Sequence, residues 1–507
     1  MKKFLWICLP FITTLAIAQK TDDAAKYAEI ITKKGLQEKL TIIASAEMEG
    51  RETASPGQKK AAAYIEDQFK KFGLKAGNGN SYQQLYPVYQ DVLSGQTLRV
   101  NGRNFVWDKD YSFSIQNIAN GEWMYNNMVF AGYGIVDSVT KVNDYAGLDV
   151  KGKVVIVLDG GTATATPGRG GFGVNGAKMT AARNNGAAGL LIVSQDFPRK
   201  LPTGLKGRMT LKPSAPNTFF VATISDEVAS ALTGRTYTVP FTQWKEVNKG
   251  NYVAELKIGA TKIAETLESS NVIGVLPGTD KNEEYVFITG HYDHLGKVGD
   301  VIWYGADDDG SGTVSVMQMA EAFTTAAKKG SKPRRTIIFM TVSGEEKGLL
   351  GSEYYSDHPT VDLSKATADL NIDMVGRVDT ERKTGDTLNY VYVIGHDKLS
   401  SDLPVINEGV NNKYTNLVLD YKYDDPNDRN RIYFRSDHYN FARKGVPILF
   451  FYDGMLLADY HKPTDTIEKI NFDLMEKRVR MIFHTGWEIA NRDNMLKRDI
   501  PLNMGSR

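Results

Sequence analysis

Cysteine is nearly absent from this chain, since Cys8 is the one thiol among 507 residues. A single cysteine cannot form an intrachain disulfide bond or a zinc site built from several thiolates. Cys8 lies inside an apolar segment at the start of the chain and has no lipobox-like sequence before it. We expect that segment to be removed, which leaves a mature chain without a thiol and excludes a cysteine hydrolase.

Neither a strong charge of one sign nor a long apolar run is present. Lys and Arg number 61 against 60 Asp and Glu, a formal net charge of +1, and no long basic run occurs. Nucleic acid is therefore not an expected partner, because a nucleic-acid site needs a basic patch or stripe. The longest apolar stretch, from Phe4 to Ala18, is shorter than the ~20 residues that span a bilayer.

That stretch has the features of a signal peptide. Lys2 and Lys3 precede it, and it closes in Ala16-Ile17-Ala18, a small-x-small pattern typical of a cleavage site. We predict a signal peptide over residues 1–18, and hence a protein exported to the periplasm or the extracellular space. No stable membrane anchor is expected after signal removal, and the sequence does not indicate an oligomeric state.

The remaining residues fall into three zones, and a chain of this length suggests two or three domains. Residues 19–84 show helical periodicity, and we assign them to the N-terminal part of a catalytic domain. Residues 85–260 alternate short β-rich runs with glycine-rich turns, which indicates an inserted β-rich domain with a surface loop at Gly160–Gly176. Residues 261–507 alternate strands and helices, which predicts a mixed, mostly parallel α/β sheet sandwiched by helices.

Five short polar segments follow the predicted strands of the last zone. In open α/β sheets, ligands bind beyond the carboxyl ends of the strands. Each segment offers an imidazole or a carboxylate, and nitrogen and oxygen ligands without sulfur suit zinc. Hydrolytic sites often hold two such metals about 3.5–4 Å apart. The segments are Gly290-His291-Tyr292-Asp293-His294, residues 305–312, Ser343-Gly344-Glu345-Glu346, Asn371-Ile372-Asp373-Met374 and residues 460–465.

The residue types in these segments suggest roles in a two-metal site. His291 is expected to bind one metal, with Asp293 holding its imidazole ring by a hydrogen bond. Two dications this close repel each other unless an anionic ligand lies between them, and Asp308 is our candidate for that bridge. Asp373 and His461 complete the two sets of ligands.

The adjacent pair Glu345 and Glu346 suggests a division of labour. In a turn after a strand, neighbouring side chains point in different directions. One glutamate can therefore bind metal while the other stays free as a general base.

In this order, the segments resemble the M28 family of co-catalytic zinc peptidases, which includes bacterial aminopeptidases and glutamate carboxypeptidase. The shared pattern is His-x-Asp, a bridging Asp in an Asp-rich loop, Glu-Glu, Asp in an Asn-x-Asp strand end, and a late His. The resemblance implies two zinc ions per chain, Glu345 as the general base and a cis peptide bond at Asp308–Asp309. The implied zinc ligands are His291, Asp308, Glu346, Asp373 and His461.

Two further stretches are similar to parts of larger members of that family. Glu-Met-Glu-Gly-Arg-Glu at residues 47–52 resembles their N-terminal part. Residues 129–134 and 144–148 resemble the protease-associated (PA) domain that is inserted in them. The insert supplies no ligand in this interpretation, so we expect it to restrict access to the site without taking part in the chemistry.

Candidate substrate-binding residues lie near the last segment. The run Arg435-Ser436-Asp437-His438 matches a Ser-Asp-His segment near the active site in the family. Tyr460, next to His461, is the candidate to donate its hydroxyl to the developing oxyanion, with Tyr433 as the second choice. His294 could reach a metal, but it stands three residues beyond the ligand His291, and we expect it to line the cleft. The candidate substrate contacts are Tyr433, Arg435, Asp437 and His438.

These residues predict an exported di-zinc aminopeptidase acting on peptides, with Glu345 passing a proton from water to the leaving amine. A carboxypeptidase of the glutamate-carboxypeptidase type is the first alternative, because Arg429, Arg431 and Arg435 could bind a terminal carboxylate. A glutaminyl cyclase-like enzyme is the second, although that enzyme uses one zinc and lacks the insert. A receptor-like binding protein on the same fold is the non-enzyme alternative, although such a relative would be expected to have lost ligands.

Overall fold

The computed structural model describes residues 22–161, 174–215, 218–235, 248–425 and 428–502. The predicted signal peptide lies outside these residues, as do residues 162–173 of the Gly160–Gly176 loop. Within the described ranges, no helix combines the length and the apolar character needed to cross a membrane.

The described residues contain ten α-helices. They are α1 Asp23–Ala28, α2 Lys33–Ile43, α3 Pro56–Phe72, α4 Val174–Asn184, α5 Asp226–Thr233, α6 Gly312–Lys328, α7 Leu350–Asp357, α8 Asp402–Tyr414, α9 His438–Ala442 and α10 Phe472–Asn491.

The same residues contain nineteen strands. The first ten are β1 Lys75–Ala76, β2 Gln83–Val100, β3 Arg103–Asn104, β4 Tyr111–Phe113, β5 Gly121–Phe130, β6 Val136–Asp137, β7 Val142–Asn143, β8 Val154–Leu158, β9 Gly189–Val193 and β10 Phe220–Ile224. The others are β11 Gly250–Leu276, β12 Lys281–His291, β13 Lys297–Val298, β14 Val301–Ile302, β15 Arg335–Val342, β16 Ala366–Ile372, β17 Tyr390–Ile394, β18 Val418–Asp420 and β19 Ile448–Tyr452.

The C-terminal half forms the predicted mostly parallel sheet. β12 pairs in parallel with β15 on one side and β16 on the other, and β16 pairs in parallel with β19. β11 pairs with β15 in the antiparallel direction, and β17 pairs with β19 in the same way. Every residue of β15 and β16 is buried, because helices cover both faces of the sheet.

Two apolar cores fill the space between that sheet and its helices. One contains residues of α2, α3, α6 and α10, including Phe69, Phe323 and Phe483. The other contains residues of α7 and α9, including Tyr355 and Phe441. The N-terminal helices α2 and α3 therefore belong to the catalytic domain, and the predicted helix–sheet–helix sandwich is confirmed.

The inserted domain is built around a second group of parallel strands. β5, β8, β9 and β10 run in parallel, and β4 closes the edge in the antiparallel direction. The helices α4 and α5 pack against these strands in cores of their own. The prediction of a β-rich, PA-like insert is confirmed.

The long strands β2 and β11 join the two domains. They pair from Gln83–Val272 to Val100–Leu256, so one continuous ladder crosses from the catalytic domain into the insert. The predicted limits of the insert, residues 85 and 260, fall inside these two strands. Those limits stay a prediction.

Candidate metal centre

Three parallel strands bring predicted ligands to one edge of the sheet. β12 ends at His291, β15 ends at Val342 shortly before Glu345, and β16 ends at Ile372 just before Asp373. β12 lies between the other two strands. Because neighbouring parallel strands run in the same direction, these three segments meet at one edge.

The carboxylate of Asp309 anchors the Asp-rich loop that precedes α6. It is buried and accepts hydrogen bonds from the backbone N–H groups of His291 (3.1 Å), Gly312 (2.8 Å) and Met374 (3.0 Å). Asp309 therefore ties its loop to β12 and to the segment after β16. The Asp308–Asp309 peptide bond is cis, as the sequence analysis predicted.

The neighbouring aspartate also holds backbone. The Asp307 carboxylate accepts a hydrogen bond from the N–H of Gly376 at 2.9 Å. The backbone N–H groups of Asp307 and Asp308 both donate to the carboxylate of Asp465 at 3.1 Å. Among the three consecutive aspartates, Asp308 is the one whose side chain belongs to the ligand clusters described next.

The first ligand cluster consists of His291, Asp308 and Asp373. Nε2 of His291 lies 3.2 Å from Oδ1 of Asp308 and 3.6 Å from Oδ1 of Asp373. Oε2 of Glu345 lies just beyond, 3.9 Å from the same nitrogen. Among the described residues, this buried nitrogen has no hydrogen-bond partner, so the group fits a shared cation such as zinc.

The second cluster uses the other oxygen of Asp308. Nε2 of His461 lies 3.2 Å from Oδ2 of Asp308 and 3.0 Å from Oε2 of Glu346. Asp308 thus presents one oxygen to each cluster, which is the arrangement a bridging carboxylate requires. Oδ2 of Asp308 and Oε1 of Glu346 are buried and have no hydrogen-bond partner within the described ranges.

His294 lies inside this second cluster, and the expectation that it would line the cleft is therefore wrong. Its ring is buried, and Nδ1 lies 2.7 Å from Oε1 of Glu346 and 3.9 Å from Oδ2 of Asp308. The one feature of the sequence that points to this position is the second histidine of His-Tyr-Asp-His. Spacing along the chain could not show that the segment after β12 turns this ring inward.

The two adjacent glutamates differ in their electrostatics. Burial raises the pKa of Glu345 well above its usual range; His291 opposes this shift, whereas Glu346 and Asp373 reinforce it. Burial also acts to raise the pKa of Glu346, but the imidazoles of His294 and His461 outweigh it and lower that pKa to about 2. Glu345 is therefore the more basic member of the pair.

Asp293 contacts the His291 ring through its backbone carbonyl and not, as expected, through its carboxylate. The ring Nδ1 of His291 is 3.1 Å from the backbone carbonyl oxygen of Asp293, and the carboxylate oxygen Oδ1 is farther away, at 3.7 Å. The carboxylate accepts instead from Thr53 Oγ1 at 2.5 Å and from the backbone N–H of Glu345 at 3.3 Å. Asp293 therefore holds the ring through its main chain and the Glu345 turn through its side chain.

The motif Glu-Met-Glu-Gly-Arg-Glu-Thr at residues 47–53 contacts several of these loops, which the sequence analysis did not predict. The buried guanidinium of Arg51 donates to four backbone carbonyls at 2.7–2.9 Å, those of Ile43, Tyr292, Tyr304 and Gly305. Glu52 forms an ion pair with Lys347 at 2.9 Å, and Thr53 donates to Asp293. Three consecutive residues thus secure the segments that carry His291, Asp308 and Glu346.

A small pocket opens beside the first cluster. Its walls combine apolar side chains with polar ones, among which are Asp308, Glu345, Asp373, Arg435 and Tyr460. The Tyr460 ring stacks on the His461 ring with centroids 3.8 Å apart, and Arg435 Nη2 donates to the Tyr460 hydroxyl at 2.9 Å. The remaining lining residues are Met374, Ile432, Phe450, Tyr452 and Leu456.

The other candidate substrate contacts do not line this pocket. Tyr433 is buried in the core, and His438 stacks on Phe450 while its Nε2 is 2.8 Å from the Tyr433 carbonyl oxygen. Burial lowers the pKa of His438 to about 3, so its ring is neutral. Asp437 is buried and accepts a hydrogen bond from Ser352. The side chains of these three residues therefore pack in the protein interior.

One more group of potential ligands lies apart from the centre, formed by His396, Asp397 and Asp424. Lys398 forms ion pairs with both aspartates. The imidazole of His396 also contacts Asp424 directly. A lysine ammonium therefore already compensates these carboxylates, and the cluster does not resemble the centre at Asp308.

Two family sequence models match parts of the chain. The sequence model of peptidase family M28 matches residues 271–485, and that of the PA domain matches residues 124–232. These matches agree with the resemblance to the M28 family and with the inserted PA domain that the sequence predicts.

Curated relatives match parts of the chain. A probable leucine aminopeptidase from Trichophyton verrucosum (strain HKI 0517) is 28% identical over 226 residues, covering 43% of this chain and 57% of that protein. A probable glutamate carboxypeptidase from Arabidopsis thaliana is 39% identical over 118 residues, covering 23% and 16%. The match to the first of these relatives spans little more than half of its length.

Solved structures cover nearly the whole chain. An aminopeptidase from Aneurinibacillus sp. strain AM-1 aligns with a TM-score of 0.60 at 19% identity, covering 94% of this chain and 98% of that one. A zinc aminopeptidase from Bacillus subtilis aligns with a TM-score of 0.54 at 21% identity, covering 93% and 99%. These likenesses establish a common fold, with the insert included.

Proposed function

We propose that the protein is an exported di-zinc aminopeptidase. The observation that carries this proposal is the position of Asp308, whose two carboxylate oxygens face His291 and Asp373 on one side and Glu346 and His461 on the other. When bound there, zinc supplies a Lewis acid for the scissile carbonyl and lowers the pKa of water. Export is supported by the signal-like residues 1–18.

Glu345 is the residue we assign as general base. Its carboxylate lines the pocket, and its Oε2 lies 3.9 Å from Nε2 of His291, at the rim of the first cluster. Because it lies outside both ligand clusters, it is free to take a proton from the attacking water. The same carboxylate then returns that proton to the leaving amine.

Tyr460 is the residue we assign to the oxyanion. Arg435 donates a hydrogen bond to the phenol oxygen, so the phenol proton is left to donate elsewhere. Tyr460 lines the same pocket as Glu345 and Asp308. It can therefore donate to the carbonyl oxygen as negative charge develops there.

The pocket favours an aminopeptidase over a carboxypeptidase. Among the three candidate arginines, Arg435 alone lines the pocket, whereas the guanidinium of Arg431 lies 4.4 Å from the Phe434 ring centre. One arginine that also binds Tyr460 is a poor substitute for a cluster.

The carboxypeptidase alternative keeps one observation in its favour, the position of Arg435 at the pocket, and a substrate comparison decides between the two. One pentapeptide is supplied in free, N-acetylated and C-amidated forms, and products are followed by mass spectrometry. We expect the free and C-amidated forms to be cut from the N-terminus and the acetylated form to resist. Cleavage of the acetylated form, with resistance of the amidated one, would reverse the assignment.

We also propose that the insert restricts access to the site. Met209 of the insert and Leu350 of α7 belong to one apolar cluster, and α7 closely follows the Glu345 turn. This cluster places part of the insert near the segment that carries Glu345. We expect short peptides to be cut much faster than intact casein, and equal rates would contradict the proposal.

A further inference from the structure

We propose that His294 is a direct ligand of the second metal, together with Asp308, Glu346 and His461. The second metal would then have two imidazole ligands, whereas the first has one, from His291. This inference rests on the proposed two-metal function, and it assigns a residue outside the ligand set that the family resemblance implies.

Three unsatisfied atoms meet beside the His294 ring. Nδ1 of His294 lies 2.7 Å from Oε1 of Glu346 and 3.9 Å from Oδ2 of Asp308. All three atoms are buried, and none has a hydrogen-bond partner in the part of the chain that the structure describes. Buried polar atoms in native proteins are nearly always paired, so three orphans at one point indicate a cation.

The 2.7 Å contact between His294 and Glu346 has the geometry of two ligands of one metal. At that separation an imidazole N–H and a carboxylate normally form a hydrogen bond, but the alignment of His294 and Glu346 does not produce one. Two ligand atoms on neighbouring positions around one metal also lie close together, since both point at the metal and not at each other. The contact fits that second arrangement.

Neighbouring residues hold the His294 ring in position. A Cβ on Gly305 would lie 2.5 Å from the ring carbons Cγ and Cδ2, so glycine leaves the space that the ring occupies. The backbone N–H of His294 donates to the carbonyl of Arg51 at 3.2 Å, which fixes the segment that carries the ring. A preorganised ligand needs this kind of support.

His294 and His461 approach the second cluster from different environments. The two ring centroids are 6.0 Å apart with planes at 73°. The His461 side chain is 37% exposed, whereas that of His294 is fully buried. We infer that His294 is the inner imidazole ligand and His461 the outer one.

The direct test on the wild-type protein is X-ray absorption spectroscopy of the fully zinc-loaded full chain. With His294 as a ligand, the outer-shell scattering fits three imidazoles for two zinc ions. Two imidazoles for two zinc ions would overturn the proposal. This readout does not depend on any variant folding.

The variant test uses metal affinity and not activity. Apo full chain is titrated with Co²⁺ alone, and the visible d–d bands report each occupied site. We expect H294A to bind the first Co²⁺ like wild type and the second about 10–100-fold more weakly, with altered bands, by analogy with measured losses around metal sites. The matched control is H358A, an exposed histidine outside the centre, which should bind both ions normally.

A further variant separates coordination from hydrogen bonding. H294N keeps a donor that can reach Glu346 but removes the imidazole, so we expect the same loss as in H294A. Wild-type affinity and bands in H294N would show that His294 only orients Glu346 and would overturn the proposal. If the wild-type chain itself bound one ion firmly, the two-metal function would fail first, which is a distinguishable result.

Discussion

The catalytic domain and the insert both present polar residues where parallel strands end, yet only one of them contains the centre described above. In the insert, Asp159 follows β8, Ser194 follows β9 and Ser225 follows β10. Ser194 donates to the Asp159 carboxylate at 3.3 Å, and Ser225 accepts from the N–H of Val228 at 3.4 Å as the cap of α5. Each of these three side chains therefore has a hydrogen-bond partner within the insert.

The catalytic domain differs in leaving its strand-end atoms unsatisfied. His291, Asp308 and Glu346 have buried atoms without hydrogen-bond partners among the described residues. The carboxyl edge of a sheet therefore determines only where a functional site can lie. Convergent ligand atoms that the protein does not pair internally supply the chemistry.

The largest effect should come from Glu345→Gln. The amide keeps the shape of the side chain but cannot accept a proton, so we expect kcat to fall by about 10²–10⁴-fold with zinc content unchanged. The control is Glu353→Gln on α7, which should retain activity. Measured kcat within a factor of ten of wild type would remove Glu345 from the mechanism.

Tyr460→Phe should follow, with a loss of about 10²-fold in kcat and a small change in KM, because the hydroxyl acts in the transition state. Tyr433→Phe is the matched control, since that tyrosine is buried away from the pocket. We expect Tyr433→Phe to keep most of the wild-type activity. A larger loss in Tyr433→Phe than in Tyr460→Phe would exchange their roles.

Metal removal should destabilise the catalytic domain much more than the insert. Without cations, the carboxylates of Asp308, Glu345, Glu346 and Asp373 repel one another at close range. We expect chelation to lower the unfolding temperature of the catalytic domain by on the order of 10 °C, given tight metal binding. Hydrogen exchange should show lost protection at the ends of β12 and β16 and unchanged protection in β8 and β9. Equal losses in both domains would contradict the comparison.

The smallest effect concerns Lys178 in the insert. Burial lowers the pKa of this lysine to about 8 from 10.5. Between those values the unfolded chain binds more protons than the folded one, so the free energy of unfolding should rise as pH increases from 8 to 10.5. Lys178→Met should abolish that rise, as measured by urea unfolding at each pH. A rise of the same size in the variant would assign it to other groups.

Much of the centre could be predicted because its ligands lie in short segments in a fixed order. The ligands lie close to strand ends or to glycines, as do His291, Asp308, Glu346 and Asp373. The family resemblance assigned Glu346 to the metal and Glu345 to the base. The fold class followed from the alternation of apolar strands and amphipathic helices. These signals are local, so a sequence carries them directly.

What could not be predicted depends on contacts between distant residues. Thr53 reaches Asp293 across 240 positions, and Arg51 reaches Gly305 across 254. His294 was misplaced because the direction of its ring depends on space left at Gly305 and on the fold of the segment after β12. Periodicity and spacing do not contain that information.

The central claim is that Asp308 joins two metals in one centre, and metal analysis of the wild-type chain tests it most directly. Protein purified without chelators and dialysed against trace zinc is measured by mass spectrometry of the element and by amino-acid analysis. We expect two zinc ions per chain, falling to one or none in Asp308→Ala. A firm value of one zinc per wild-type chain would contradict the account and favour the cyclase-like alternative.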